Sequence, residues 1–247
     1  MDTNVIYLMK QELEKRGVIN SNDVSAVSMR EKGKEFSFEE HLKALIYALL
    51  TNQRKWADVV PKLPQIDELF FNYDASKILA FDGEYFERGI RHLHCGNISI
   101  KKQMNNLNKN IFTLIGIEEE YGSLDNYVTS KDSDSIVKDI ASGKYKLSGV
   151  GPALAREYLR NVGIDDAKPD LHLKRFMGCE RMRVSKNVNA SDEEVLKEIT
   201  QISEITGLTK FDVDYIIWCY CAEGYGEICG ATPKCKECVI RKYCRHA

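Results

Sequence analysis

The residues of this chain best spaced for chemistry are four cysteines near its end, Cys229-x5-Cys235-x2-Cys238-x5-Cys244. One tight Cys-x2-Cys pair with a five-residue arm on each side can wrap four thiolates around a compact inorganic centre. A structural zinc is usually gripped by two short knuckles, and only one exists here. A [4Fe–4S] cube also takes four thiolates, and wider loops suit its larger size. Spacing alone favours iron–sulfur over zinc and leaves both open. Disulfides fit less well. The stretch Met1 to Lys10 holds only a short apolar run, Val5 to Met9, before Glu12, Glu14 and Lys15, which is not the pattern of a signal peptide. The expected compartment is the reducing cytosol, where clustered cysteines hold metals more often than they form bridges.

A second constellation lies further back. Leu147-Ser148-Gly149-Val150-Gly151 falls between two helical patterns, Ser135 to Ile140 and Pro152 to Leu159. Two glycines flanking one apolar residue predict a very tight turn, because glycine adopts positive φ without strain. Pro152 suits the first helical position, so the turn leads straight into a helix N-terminus. Free backbone N–H groups there form a phosphate cradle that needs no charged side chain. An ordinary helix–helix turn would look the same. Nineteen residues after Gly151 stands Asp170, in Lys168-Pro169-Asp170-Leu171-His172-Leu173-Lys174-Arg175. Proline disfavours helix at Lys168, so Asp170 is expected at the N-cap of a helix running to about Met182. It either merely caps that helix or presents a carboxylate that stabilises a neighbouring cation.

The elements that must position these residues read as helices. Ser37-Phe38-Glu39-Glu40 is a capping box opening a helix with Leu42, Leu45, Ile46 and Leu49 on one face. A pattern through Met104, Leu107, Ile111 and Leu114 runs towards Tyr121-Gly122, a C-terminal stop. Ser191-Asp192-Glu193-Glu194 is a second capping box for a helix ending at Gly207, and Thr209 caps another through Val213, Ile216, Ile217 and Cys219. No convincing period-two alternation appears, so the fold class is all-α. The 247 residues, 43% hydrophobic, suffice for one large core or two smaller ones, and no run of eighteen apolar residues could span a membrane. Net charge is −2, yet Cys229 to Ala247 carries Lys234, Lys236, Arg241, Lys242 and Arg245 against Glu237 alone. That reads as a local anion-binding surface or a solvated basic tail. Cys95, Cys179, Cys219 and Cys221 read as small buried core residues.

Together, in order and spacing, these features resemble the endonuclease III-like DNA glycosylases. Leu147-x-Gly-Val-Gly is similar to their helix–hairpin–helix, Asp170-Leu-His-x-x-Arg175 to the Asp-x-His-x-x-Arg that follows it, and Leu49-Leu50-Thr51-Asn52-Gln53 to their Leu-Leu-Ser-x-Gln. The four cysteines resemble their C-terminal cluster loop, one residue short in the first arm. The coincidence lifts iron–sulfur above zinc. The resemblance covers roughly residues 35 to 244. It implies a two-lobed fold: a six-helix barrel over residues 36–165, and a discontinuous lobe from 1–35 and 166–247 holding a [4Fe–4S] cluster in loop 229–244. DNA would lie across the cleft between the lobes.

The same resemblance implies roles. Ser148, Gly149, Val150 and Gly151 would grip the DNA backbone and Lys234 would add a phosphate contact, with Arg241 and Lys242 as further candidates. Gln53 would fill the gap left by an everted nucleotide; without the family it reads as a helix-end surface glutamine. Asp170 would stabilise the sugar cation formed as the base leaves. His172 and Arg175 are expected to pack or hydrogen-bond within the lobe. Two departures matter. Members that form a Schiff base carry an amine two residues after the second hairpin glycine, where this chain has Ala153. The expected enzyme is therefore a monofunctional glycosylase acting on double-stranded DNA with a modified or mismatched base. Lys144, Lys146 and Lys168 are the substitutes to be weighed for lyase chemistry. The chain also ends three residues after Cys244, so no further C-terminal domain of the adenine-glycosylase kind is expected. A cytoplasmic, nucleoid-associated monomer is expected, and a catalytically silent iron–sulfur DNA-binding protein is the competing class.

Overall fold

The computed structural model describes residues 1–20, 24–52 and 54–246. Gln53 lies outside the described residues. Among those described, regular structure is entirely helical, with no strand. The helices are α1 (Asn4–Lys15), α2 (Ala26–Glu31), α3 (Phe38–Leu50), α4 (Trp56–Val59), α5 (Leu63–Leu69), α6 (Ala75–Leu79), α7 (Gly83–His92) and α8 (Ile100–Asn105). They continue as α9 (Leu107–Tyr121), α10 (Leu124–Thr129), α11 (Ser133–Ala141), α12 (Pro152–Asn161), α13 (Leu171–Met177), α14 (Asp192–Thr206) and α15 (Lys210–Cys221). None is long and apolar enough to cross a membrane.

The chain forms two compact units, Ser25–Ile164 and a discontinuous one of Met1–Val24 with Asp165–Ala247. The first boundary falls eleven residues before the 35/36 expected from sequence, because α2 belongs to the continuous unit. Arg30 on α2 bonds both oxygens of Asp125 at 2.5 and 3.0 Å and the carbonyl of Val162. A Cβ at Gly163 would lie 2.6 Å from the carbonyl oxygen of Ala26, so that glycine allows α2 its close approach.

In the continuous unit α3 is the central helix. Its capping box forms as the sequence predicts, Ser37 Oγ accepting from Glu40 N–H and the Glu40 carboxylate from Ser37 N–H. Leu42, Leu45, Ile46 and Leu49 are fully buried, and α12 packs against this helix. Each such side chain contributes about 1.5–3 kcal/mol on burial. The pattern from Met104 to Leu114 is two helices rather than one. Asn106 ends α8, its side-chain amide donating to Lys102 O at 2.7 Å, an instance of a local side-chain bond competing with helix.

The discontinuous unit packs α1, α13 and α14 against α15, burying Val5, Ile6, Met9, Phe176, Ile199, Ile217 and Tyr220. Here α13 stops at Met177, short of the expected Met182. The cause is a close approach at Gly178, where a Cβ would meet the carbonyl oxygen of Val188 at 1.9 Å. Cys179 N–H then donates to Asn187 O, turning residues 178–190 into a packed loop. Cys179 is consequently half-buried, whereas Cys95, Cys219 and Cys221 are buried as expected.

Candidate active site

The hairpin of the continuous unit is built from α11, the turn 142–151 and α12. Its two glycines differ. Gly149 has φ +82°, the left-handed conformation that favours glycine. Gly151 is extended, at φ −99° and ψ 179°, and a Cβ there would meet nothing within 4 Å. Among the described residues no clash requires glycine at 151, and the space beside that backbone is open. Val150 between them is buried and acts as the plug, its N–H donating to Leu147 O. Ser148 spends both backbone groups on the fully buried Asn110: its N–H donates to Oδ1 at 2.7 Å and its carbonyl accepts from Nδ2 at 3.0 Å. Asn110 was not legible in the sequence, where it sits inside an ordinary helical pattern. Among the described residues, the amides of Gly149, Gly151 and Ala153 have no acceptor in the chain. A locked turn whose amides have no acceptor among the described residues has the donors that an anion would need.

Ala153 presents no nucleophile, and two of the three substitute amines, Lys144 and Lys146, are engaged. Lys144 Nζ is paired with Glu120 at 2.6 and 2.7 Å, and that bond raises its pKa above the usual lysine range. Lys146 Nζ donates to the carbonyls of Ala141 and Val150.

In the discontinuous unit Asp170 takes the expected N-cap of α13, at φ −86° and ψ 178°. Its Oδ1 accepts from His172 N–H at 2.8 Å and Leu173 N–H at 3.1 Å. Oδ2 has no hydrogen-bond partner among the described residues. The segment before it is pinned by Lys168 N–H donating to the buried Asp214 at 2.6 Å. His172 packs edge-on against Trp218, and burial lowers its pKa, so it is a wall of this region rather than a charged group.

The four cysteines of the tail border one cavity, walled by Phe176, Ile228 and Ile240. Among the described residues no three His, Cys, Asp or Glu side chains converge closely enough to hold a single metal ion. The sulfurs are not equivalent. Cys229 is drawn down to about 7 by a hydrogen bond from Cys221 and by the charge and hydrogen bond of Arg181, against the opposing effect of burial. Burial pushes Cys238 and Cys244 up. Arg181 is buried and was missed in the sequence. Its Nη1 donates to Cys229 O at 2.6 Å and to Cys229 Sγ at 3.1 Å, and Nη2 to Gly230 O at 2.7 Å. Its own carbonyl accepts from Arg245 N–H, so one residue outside the loop ties both ends of it. Tyr220 OH lies 3.4 Å from Cys238 Sγ. Lys234 is exposed but shares its charge with Glu227 at 3.4 Å.

No family model and no curated protein matches the chain. Solved structures do. A trapped endonuclease III–DNA covalent intermediate aligns over 100% of this chain and 96% of its own, with a TM-score of 0.60 and 17% identity. The 8-oxoguanine glycosylase/lyase of Methanocaldococcus jannaschii, solved with a 15mer DNA containing 8-oxoguanine, aligns over 87% and 95%, at 0.58 and 18%. The 8-oxoguanine DNA glycosylase of Thermotoga maritima aligns over 88% and 95%, at 0.59 and 15%. The chain has the fold of these DNA glycosylases. At these identities the likeness establishes the architecture; the chemistry must be argued from the residues.

Proposed function

We propose that the protein is a monofunctional base-excision DNA glycosylase that hydrolyses the N-glycosidic bond of a modified or mismatched base in duplex DNA. The observation that carries the reading is Asp170, whose one oxygen is fixed by two backbone amides while the other has no hydrogen-bond partner among the described residues, in a chain with a glycosylase fold. The open backbone at Gly149 and Gly151 supports a grip on the DNA backbone. A base inside the stack is out of reach, so the nucleotide must be everted first. As the glycosidic bond breaks, positive charge develops on the sugar. A carboxylate about 4 Å away stabilises it by about 4 kcal/mol at an effective dielectric near 20. That is about a thousandfold in rate. The same carboxylate orients or deprotonates the attacking water. With Ala153 in the hairpin, Lys144 paired and Lys146 bonded to carbonyls, water is the nucleophile and an abasic site the product.

Cys229, Cys235, Cys238 and Cys244 would hold a [4Fe–4S] cluster. Four thiols border one cavity, and their number and spacing suit a group of several metal atoms with one thiolate each. When bound, it supplies folding energy to a short basic loop. Lys234 would then reach a phosphate by exchanging Glu227 for the DNA. The test is a panel of duplexes with single modified bases, each read with and without alkali and with borohydride. Strands that break only after alkali, with no borohydride-trapped complex, support the reading. A trapped complex would show that an amine acts as nucleophile.

A further inference from the structure

A cavity of about 260 Å³ opens in the discontinuous unit, next to the cysteine cavity, with which it shares Arg181 and His246, but bordered by none of the four cysteines. Leu171, Arg175, Arg181, Val188, Asn189 and His246 line it. Leu171 and Arg175 are one turn apart on α13, so they share a face. Among the described residues the Arg175 side chain has no hydrogen bond and no ion pair, although Lys174 next to it is paired with Asp192 at 2.5 Å. Arg181 adds a second guanidinium to the wall, with Nη1 and Nη2 turned to Cys229 and Gly230. Glu180 is the opposing charge at this cavity, which leaves one net positive charge before His246 is counted. Leu171 and Val188 are 56% and 51% exposed, unusual for aliphatic side chains walling a cavity.

We infer that this cavity is a phosphate-group site, with Arg175, which has no hydrogen bond or ion pair among the described residues, as its cation and Leu171 and Val188 as the apolar surface for whatever carries the phosphate. A guanidinium suits phosphate because its planar fork donates two parallel hydrogen bonds. A nucleotide unit in a DNA strand joins a phosphate to an apolar sugar face, and so matches both halves of the wall. The strand as source rests on the glycosylase reading above. Free phosphate as source does not.

Two measurements separate these sources. The first is the salt dependence of binding to an undamaged duplex. Arg175→Gln should make the log–log slope shallower by about 0.9, the value for one phosphate contact, while Lys186→Gln, an exposed cation outside the cavity, removes the same charge and leaves the slope unchanged. Val188→Asp changes an exposed side chain, so it should fold, and it should weaken binding by placing a carboxylate at the wall. The second is equilibrium dialysis against inorganic phosphate, with Arg175→Gln as the comparison. A lost slope increment identifies the strand as the source. One dialysis site abolished in Arg175→Gln, with the slope intact, identifies free phosphate. Wild-type slopes in both cavity variants, together with no dialysis site, would overturn the proposal. Base excision measured on the same variants keeps this outcome apart from the fate of the glycosylase reading.

Discussion

One oxygen of Asp170 holds the first turn of α13 and the other has no partner among the described residues, so fold and proposed chemistry draw on the same side chain. Substitution by asparagine separates them. Asparagine caps a helix about as well as aspartate, whereas alanine costs about 1 kcal/mol of stability. Asp170→Asn should therefore unfold at nearly the wild-type denaturant midpoint and Asp170→Ala measurably earlier. Arg181 makes a second residue-scale case. Arg181→Gln keeps all four cysteines but removes the bonds that Nη1 and Nη2 make to Cys229 and Gly230. Outer partners of a ligand typically matter 10–100-fold in metal affinity. If the proposed cluster is bound, the variant should lose iron to a chelator about that much faster, read as decay of visible absorbance; decay at the wild-type rate would mean that Arg181 only fills space.

At the scale of elements, the hairpin glycines differ in what they do for the fold. Gly149 sits at positive φ, so Gly149→Ala should cost about 1 kcal/mol in stability. Gly151 is extended with open space beside it, so Gly151→Ala should leave stability within about 0.5 kcal/mol and weaken duplex binding instead. Equal stability losses in the two variants would show that the turn needs both for folding alone. These glycines also mark the limit of legibility. The pattern Gly-Val-Gly gave the turn, but not that only one glycine has positive φ, because that depends on Asn110 bonding Ser148 from a distant helix. Capping boxes at Ser37 and Ser191 were readable because both partners lie within four residues. The early end of α13 was not, since the cause is the carbonyl of Val188 against Gly178. Arg181 was invisible for the same reason: its partners lie 48 and 49 residues away.

For the whole molecule, the continuous unit carries a built-in sensitivity to acid. His41 is fully buried, bonded through Nδ1 to Tyr158 OH at 2.7 Å, with Nε2 3.4 Å from Asp125 but making no hydrogen bond. Burial, against the opposing pull of Asp125, lowers its pKa to about 4. The unfolded chain takes up this proton near pH 6.5, before the folded chain does, so stability falls as pH drops from 6.5 towards 4. This one group sets a slope of at most about 1.4 kcal/mol per pH unit, and His41→Gln should flatten it in chemical denaturation series between pH 6.5 and 4.5. A variant series as steep as wild type would assign the acid response to other groups. The activity proposed for the molecule, however, turns on one carboxylate. The most direct test is single-turnover base excision by Asp170→Asn on whichever duplex of the panel loses its base to the wild-type protein. The account predicts a folded variant that binds the same duplex while excision falls by about two to four orders of magnitude. Excision at the wild-type rate would contradict it.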